Sequence, residues 1–361
     1  PHLSDRRQRQ MCIRDRWAER REILARDLMY NKQYKKAYKI SSNHFLEESD
    51  TYAVLEWLSG YLALEKLNNA EQALKHFKNF LISVDAPISL GRGFYWLGRT
   101  YEKQGKMDVA KQIYQIGADR WETYYGLLAA EKVGRTVDIE ALHTPQSKSW
   151  VEASFSTGSV FKAALLLFSA NQEVLAERFL THLTETLSDD DILRLVSFLE
   201  ESQKPHELVM VAKRAASQSK VFPRPYFALH PVAEMPQKIP PEMTLAIARR
   251  ESEFYPKVAS PVGALGMMQV MPKTAKEVAK RLGLKFSSER MLSDWNYNAK
   301  IGIAYLEELS ERYKGNPILI AAAYNAGPSR ADRWVQLMGD PRNPKVDLVQ
   351  WVESIPFEET R

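Results

Sequence analysis

One glutamate in this chain has the surroundings of a proton donor. The pattern PEMTLAIARRESEF predicts a helix that starts at Pro241, and Glu251 lies at the edge of its apolar face. Partial burial there disfavours the charged carboxylate and raises its pKa, which a general acid working near neutral pH requires. A glutamate at such an edge is more often an ion-pair partner, so this interpretation depends on the segment that follows.

The segment SPVGALGMMQVMP begins at Ser260 and combines a tight turn with polar and flexible contacts. Gly263 and Gly266 bracket the turn and would let a ligand approach the backbone closely. Gln269 offers an amide donor and acceptor, and Met271 offers an adaptable apolar contact. Ser260 has the simpler alternative of capping the turn. Three neighbouring side chains are assigned to the core: Met267, Met268 and Val270.

Helical periodicity dominates the chain from about residue 17 to residue 218, with few prolines and no alternating strand pattern. Two stretches, 62–80 and 99–117, share one layout at an offset of 37 residues: a helix, a polar turn, an alanine and an aromatic residue. This spacing is close to the period of tetratricopeptide-like helical hairpins, whose stacked pairs bury one continuous core. We therefore predict an α-solenoid whose aromatic side chains pack between hairpins; the alternative is that a few exposed rings stack on a ligand.

Six prolines between residues 221 and 241 interrupt the helical pattern and predict an ordered linker. The predicted organisation is all-α, with a tail at 1–16, a helical superhelical domain at 17–220, the linker at 221–241 and a second α-rich domain at 242–361. The tail carries five arginines without periodicity. We interpret it as unstructured or non-native sequence, and the alternative is a nucleic-acid-binding arm.

The 361 residues are 45% hydrophobic and 26% charged, which is typical of a globular protein and long enough for at least two domains. The net charge of +5 is mild and would favour an anionic polymer or a membrane surface as partner. Cys12 is the single cysteine, so no disulfide can form within the chain. No apolar run is long enough to cross a bilayer and no secretory signal is found, so we expect no transmembrane segment.

The second predicted domain lacks the side chains that several common chemistries need. No histidine follows His230 and no cysteine follows Cys12, which excludes Ser-His and Cys-His nucleophilic mechanisms in residues 242–361. An HExxH motif, clustered zinc ligands, a Walker loop and a GxGxxG motif are also missing from the sequence. The remaining prediction is an acid–base enzyme that needs no cofactor and no metal.

Glu251-Ser252 and four later motifs resemble, in order, those of soluble lytic transglycosylases with a goose-lysozyme-like catalytic domain. The four motifs are SPVGALGMMQVMPKTA from Ser260, NYNAKIGIAYL from Asn296, AAYNAGP from Ala322 and WVESIPFEETR from Trp351. The stretch YYGLLAAEKVGR from Tyr124 is similar to the superhelical domain of the large soluble members. Because these motifs follow one another at fitting separations across residues 240–361, the resemblance is specific.

The resemblance implies a lysozyme-like catalytic domain that follows a helical superhelix, and a peptidoglycan lytic transglycosylase activity. Glu251 would protonate the β-1,4 bond between N-acetylmuramic acid and N-acetylglucosamine, and would then take the proton of the muramyl 6-hydroxyl. The product carries a 1,6-anhydro-N-acetylmuramic acid end. Because no water is consumed, no second carboxylate is needed to hold one.

The resemblance also assigns the remaining site residues. Five would lie in the substrate groove: Ser260, Gln269, Met271, Tyr324 and Glu358. Four would be structural: Gly263, Gly266, Asn325 and Gly327. Tyr324 would lie near Glu251 and help to position it or the leaving sugar. Arg250 departs from the glutamine that the family commonly has; we expect it on the apolar helix face, where its charge lowers the pKa of Glu251.

Two other functions remain open. A muramidase would use the same fold and Glu251 but let water attack, and a non-catalytic scaffold would only bind glycan. The single acid of the motif favours the transglycosylase over the muramidase, and the presence of that acid argues against the scaffold.

As partners we expect peptidoglycan glycan strands, with cell-wall synthesis proteins as further candidates and no nucleic acid. We expect a monomer in the periplasm of a Gram-negative bacterium, with the signal peptide missing from this chain.

Overall fold

The computed structural model describes residues 17–47, 49–136 and 149–361, so the tail predicted at 1–16 lies outside the described residues. Within these ranges the regular secondary structure is helical, and the β contacts are isolated bridges of Ala259 with Leu265 and of Leu265 with Val270. The predicted all-α fold class is confirmed. No helix of the described part is long and apolar enough to cross a membrane.

Contacts divide the chain into two compact units, residues 1–140 and 141–361. The described part of the first unit contains the helices α1 (17–30), α2 (Tyr34–Ser42), α3 (Asp50–Tyr61), α4 (Ala70–Ile82), α5 (Pro87–Lys103), α6 (Met107–Ala118) and α7 (Tyr124–Lys132). A π-helical turn at Leu62–Lys66 extends α3. Each helix from α2 to α7 packs against its neighbours within this series, as stacked hairpins do.

The two sequence repeats form equivalent hairpins in the first unit. Their polar turns use left-handed backbone at matching positions, with φ of 52° at Asn68 and 74° at Gly105. The two alanines, Ala73 and Ala110, are almost completely buried, with 0% and 1% of their surface exposed. The predicted hairpin layout is therefore present in both copies.

The aromatic residues of the repeats pack on glycines of the preceding helix. A Cβ added to Gly60 would lie 2.7 Å from the Phe77 ring, and one added to Gly98 would lie 2.5 Å from the Tyr114 ring. Several further rings fill the same core: Trp57, Tyr61, Tyr95 and Trp96. These aromatic side chains therefore pack between helices, as the solenoid interpretation predicts.

The second unit contains the remaining helices, and several 3-10 turns connect them. The helices are α8 (Ser159–Ser169), α9 (Glu173–Leu183), α10 (Asp189–Glu201), α11 (Pro205–Ser217), α12 (Pro223–Tyr226), α13 (Pro241–Ser252), α14 (Pro272–Arg281), α15 (Ser288–Ser293), α16 (Trp295–Tyr313), α17 (Pro317–Ala326), α18 (Pro328–Met338) and α19 (Leu348–Glu353). The 3-10 turns are Trp150–Glu152, Pro231–Glu234 and Glu358–Thr360.

The proline-rich segment 221–241 is ordered and contains only the single turn of α12 and the 3-10 turn Pro231–Glu234. Contacts group helices α8 to α11 with residues 242–361 in the second unit. The predicted domain boundary within 221–241 remains a prediction.

Helix α13 begins at Pro241 as predicted, but it ends at Ser252 rather than at Phe254. The two residues that follow, Glu253 and Phe254, have left-handed backbone with φ of 50° and 67°. Because residues other than glycine seldom adopt this conformation, the helix stops at a tight corner.

Helix α16 supplies much of the core near α13. It has 19 residues, and α14, α15 and α17 pack against it. Helix α14 begins at Pro272 as predicted, and Gly283, with φ of 68°, follows its last turn. The loop after α13 is joined to α16 by a hydrogen bond from the Met268 N–H to Asn298 Oδ1.

Candidate active site

Glu251 lies in the last turn of α13, and its side chain is only partly exposed. Burial raises its pKa to about 7, while the nearby charge of Arg250 opposes this shift and the charge of Glu359 adds to it. No described residue donates a hydrogen bond to the carboxyl. The raised pKa agrees with the predicted desolvation and leaves a group that can give and take a proton near neutral pH.

The prediction that Arg250 lies on the apolar face of α13 is wrong. Its side chain is exposed, with Nη2 3.5 Å from the carbonyl oxygen of Glu359. Arg249 faces the protein instead, and its guanidinium lies 4.7 Å from the centre of the Tyr226 ring. The periodicity of apolar residues does not predict this arrangement, because Arg249 is a charged residue that packs on the protein through a cation–π contact.

Beyond the corner at Glu253 and Phe254, the loop after α13 uses left-handed backbone at three further positions: Gly263, Gly266 and Gln269, with φ of 89°, 73° and 46°. Gly266 admits no side chain, because a Cβ there would lie 2.1 Å from the carbonyl oxygen of Met291. Gly263 has open space around it, so only its backbone conformation favours glycine. Met271, at the end of the loop, is 43% exposed. Three side chains are buried as predicted: Met267, Met268 and Val270.

Two polar side chains of this loop form hydrogen bonds within it. Ser260 Oγ accepts from the Ala264 N–H at 2.9 Å, which is the turn-capping alternative. Gln269 Nε2 donates to the carbonyl oxygens of Val258 at 3.1 Å and Gly266 at 2.7 Å. Since no described residue donates to the Gln269 amide oxygen, that atom can still accept a hydrogen bond from a ligand.

Side chains from three helices hold the backbone of Met267 and Met268. Ser252 Oγ of α13 donates to the Met267 carbonyl oxygen at 2.7 Å, and Tyr324 OH of α17 donates to the Met268 carbonyl oxygen at 2.6 Å. From α16, Asn298 Oδ1 accepts from the Met268 N–H at 2.8 Å. The loop is therefore attached to the same helical turn that carries Glu251.

Asn298 is a residue whose role the sequence analysis missed. It is fully buried, and its Nδ2 donates to the carbonyl oxygens of Leu265 at 2.9 Å and Met291 at 3.2 Å. The sequence does contain one indication of this role. An asparagine in the middle of an apolar helix face is expected to be buried, and a buried amide needs hydrogen-bond partners. The motif NYNAKIGIAYL contains this residue but does not indicate which groups it binds.

Tyr324 is largely buried, and its ring centre lies 5.5 Å from that of Tyr305. Burial raises the pKa of its hydroxyl well above the usual value, and the charges of Glu251 and Tyr305 add to this shift. The hydroxyl is therefore a neutral hydrogen-bond donor. The position of Tyr324 beside Glu251 in a substrate groove stays a prediction.

The Tyr-Asn-Ala-Gly-Pro loop contacts the C-terminal motif. Thr360 Oγ1 donates a hydrogen bond to Asn325 Oδ1. Gly327, with φ of 89°, joins α17 to α18, and its N–H donates to the Ala323 carbonyl oxygen at 2.9 Å. These contacts join the loop to the C-terminal motif, and the structural role of Asn325 and Gly327 stays a prediction. Glu358 begins the last 3-10 turn, and its side chain lies outside the described residues.

Helix α11 holds the corner after α13, a second feature that the sequence analysis missed. His206 Nδ1 donates to the Glu253 carbonyl oxygen at 2.9 Å, and its ring centre lies 4.9 Å from that of Tyr255. Lys213 pairs with the carboxylate of Glu253. Burial disfavours the charged form of His206, but its hydrogen bonds to Glu177 and Glu253 raise its pKa overall. No local sequence signal predicts contacts between segments this far apart.

Comparisons with known proteins identify the family of this chain. Residues 231–345 match the family described as Transglycosylase SLT domain. This segment is a transglycosylase SLT domain. The chain is 31% identical over 272 residues to the soluble lytic murein transglycosylase of Escherichia coli (strain K12), and the alignment covers 74% of this chain and 41% of that protein. The resemblance predicted from the motifs is confirmed.

Two solved structures share the fold. An inactive mutant of the lytic transglycosylase Slt from Pseudomonas aeruginosa aligns with a TM-score of 0.62 and 21% identity, over 95% of this chain and 55% of that one. The 70-kDa soluble lytic transglycosylase of Escherichia coli aligns with a TM-score of 0.60 and 23% identity, over 94% of this chain and 59% of that one. The predicted combination of helical superhelix and lysozyme-like domain is therefore confirmed as a fold.

The chain spans about two fifths of the length of its curated relative, since the alignment covers 41% of that protein. The SLT domain, at 231–345, contains every predicted site residue except Glu358. Among the residues that the structure describes, no group of three or more His, Cys, Asp or Glu side chains is placed to hold a metal ion.

We expect Asn298→Ala to destabilise the SLT domain by about 2–4 kcal/mol, because it leaves the buried Met268 N–H without its acceptor and removes the hydrogen bond to the Met291 carbonyl oxygen. Chemical denaturation followed by circular dichroism measures the change. Lys300→Ala, at an exposed position of the same helix, is the control and should unfold like the unsubstituted protein. Unchanged stability in Asn298→Ala would show that this amide does not hold the loop.

We expect Glu251→Gln to raise the melting temperature at pH 8 by a few degrees. The folded pKa of about 7 exceeds the ordinary value of 4.5, so ionisation destabilises the fold and stability falls as the pH rises from about 4.5 to about 7. The advantage of the uncharged variant should therefore be largest above pH 7 and disappear near pH 4. Thermal unfolding across this range measures it, with the exposed Glu242→Gln as control. An advantage that does not change with pH would contradict the burial of this carboxyl.

Proposed function

We propose that this chain is a peptidoglycan lytic transglycosylase, a lyase that cleaves the β-1,4 bond between N-acetylmuramic acid and N-acetylglucosamine without water. One observation carries the proposal: within an SLT domain, Glu251 has a partly buried carboxyl with a pKa of about 7. A group with that pKa can act as an acid in one step and as a base in the next. The likeness to a soluble lytic murein transglycosylase supports the same reaction.

The reaction begins with the protonated form of Glu251. The carboxyl gives its proton to the glycosidic oxygen as the bond from that oxygen to muramyl C1 breaks, and the N-acetylglucosamine end leaves with the proton. The carboxylate then takes the proton of the muramyl 6-hydroxyl, whose oxygen bonds to C1 and closes the 1,6-anhydro ring. Glu251 ends the cycle protonated, and no water is consumed.

The loop after α13 would bind the sugar beside this acid. The Gln269 amide oxygen can accept from a hydroxyl or an acetamido N–H, and the exposed Met271 offers an apolar surface to a sugar ring. Ser260 keeps the turn in shape. Tyr324 fixes the Met268 carbonyl group and lies near the acid. Glu358 completes the proposed groove.

A muramidase is the second candidate, because the charge of Glu359 acts on Glu251. In a hydrolase a second carboxylate holds the attacking water. The Glu359 side chain is exposed, however, and solvent and salt weaken the influence of an exposed charge. We therefore favour the lyase.

The proposal locates this protein where peptidoglycan lies, in the periplasm of a Gram-negative bacterium. Its proposed partners are glycan strands and, beyond these, cell-wall synthesis proteins. The net charge of +5 would favour association with an anionic polymer.

Mass spectrometry of the products from purified peptidoglycan tests the reaction. We expect 1,6-anhydro-muropeptides from the unsubstituted chain and from Glu242→Gln, and about 10²–10⁴-fold less from Glu251→Gln. Products heavier by one water would establish the muramidase instead. If the unsubstituted chain binds sacculi but releases no soluble product, the scaffold function is correct and the lyase is not.

The charges beside Glu251 predict how its pH profile responds to substitution. Because the protonated acid is the active form, kcat/KM should fall as the pH rises through about 7. Arg250→Gln removes a charge that lowers this pKa and should move the alkaline limb to higher pH. Glu359→Gln should move the limb to lower pH, and each displacement should reach at most about one pH unit.

Arg250→Lys keeps the positive charge and is the matched control, so its profile should follow that of the unsubstituted chain. High salt should reduce both displacements, since both charges are exposed. If Arg250→Gln moves the alkaline limb to lower pH, Glu251 is not the group that titrates.

A further inference from the structure

A cavity of about 1110 Å³ lies within the second unit, and Glu251 is not among its lining residues. The start of α9, the end of α10 and the start of α11 line one side of it. Parts of the segments 224–231 and 254–256, together with Trp295, line the other. The volume is at the upper end of what small-molecule sites use, and the proposed reaction makes no use of it.

Aromatic rings line this cavity in two groups. His230 stacks on Phe254, with ring centres 5.2 Å apart, and meets Trp295 edge-on at 4.8 Å. Tyr255 lies against His206 at 4.9 Å. Flat rings with a few convergent polar groups are typical of a site that binds a ring-shaped organic ligand.

Two of the lining side chains are polar and more than nine-tenths buried: His230 is 6% exposed and Glu207 is 4% exposed. His230 Nδ1 accepts from the Val232 N–H at 3.0 Å, so the ring proton lies on Nε2, where no described residue accepts it. Burial lowers the pKa of His230 to about 4, so its ring is a neutral donor.

Glu207 is the second buried polar group of the lining. Its carboxyl accepts a hydrogen bond from its own backbone N–H, and no described cation forms an ion pair with it. Burial raises its pKa above the ordinary value. The carboxyl oxygens can accept hydrogen bonds from the hydroxyl groups that a sugar presents.

The full charges on the cavity wall are paired with one another. Arg224 Nε lies 2.9 Å from Glu200, and Lys204 Nζ lies 3.9 Å from Glu173. An anionic ligand would therefore lose its hydration without gaining an unpaired cation. A neutral ligand that combines an apolar ring face with hydroxyl or amide groups fits these surroundings better.

We propose that this cavity is a second glycan-binding site, which takes an N-acetylhexosamine unit of the polymer away from the cleavage site. The sugar ring lies against the aromatic rings, His230 Nε2–H donates to a hydroxyl or acetamido oxygen, and the Glu207 carboxyl bonds a hydroxyl. The inference rests on the proposed function, because that function makes an N-acetylated glycan the polymer that this chain meets.

The cavity adjoins the corner that ends α13. Phe254 and Tyr255 line it, and so does His206, whose Nδ1 donates to the Glu253 carbonyl oxygen. A glycan in the cavity would thus contact the segment that begins two residues after Glu251, without reaching the acid itself.

Isothermal titration calorimetry with tetra-N-acetylchitotetraose tests the second site. The sample is the full chain with the substitution Glu251→Gln, so that the probe binds without being cleaved. We expect two binding events. Adding Leu229→Trp places a large ring at a lining position that is 78% exposed, and should weaken one event at least about tenfold. The control, Ile82→Trp, is 86% exposed in the first unit and should keep both events.

A crystal structure of the Glu251→Gln chain soaked with the same probe provides a readout that needs no cavity variant. Sugar density against Trp295 supports the second site. Sugar density found only beside position 251 would overturn the second site. Calorimetric binding that Leu229→Trp leaves unchanged would overturn it as well. Binding in the cavity by a chain that releases no anhydro product from peptidoglycan would contradict the proposed function and not the second site.

Discussion

The structure partly buries the carboxyl of Glu251 without giving it a hydrogen-bonded partner among the described residues. Burial is the largest influence on its pKa and outweighs the charge of Arg250, which is adjacent in sequence. Arg250 has this limited effect because its side chain extends into solvent, where water screens its charge. An ionised carboxylate in such surroundings is costly, so the contacts that exclude water must be strong enough to oppose the opening of the site.

These contacts converge on two adjacent peptide groups, those of Met267 and Met268. Ser252, Asn298 and Tyr324 bind them from three different helices. Because Ser252 follows Glu251 directly, one helical turn carries both the acid and an anchor of the loop. A rotation of α13 that moved the acid would therefore also break the hydrogen bond from Ser252 to the loop. This hydrogen bond thus helps to fix the position of Glu251 relative to the loop.

Local signals in the sequence predict much of this fold. The left-handed turns at Asn68 and Gly105 recur at equivalent positions of the two repeats, and prolines begin α13 and α14 where the first helical position tolerates them. The partial burial of Glu251 also follows from its place at the edge of an apolar stripe. Each of these features depends on residues only a few positions apart, so spacing alone can indicate it.

Features imposed by distant segments could not be predicted in this way. Left-handed backbone at Glu253 and Phe254 costs on the order of 1–3 kcal/mol for each residue, and nothing in their side chains favours it. The cost is offset by contacts from α11, where His206 binds the Glu253 carbonyl group and Lys213 pairs with its carboxylate. The end of the helix that carries the acid is thus determined by a helix far upstream in the sequence. Motifs within residues 240–361 identify the acid, but its position depends on α11 as well.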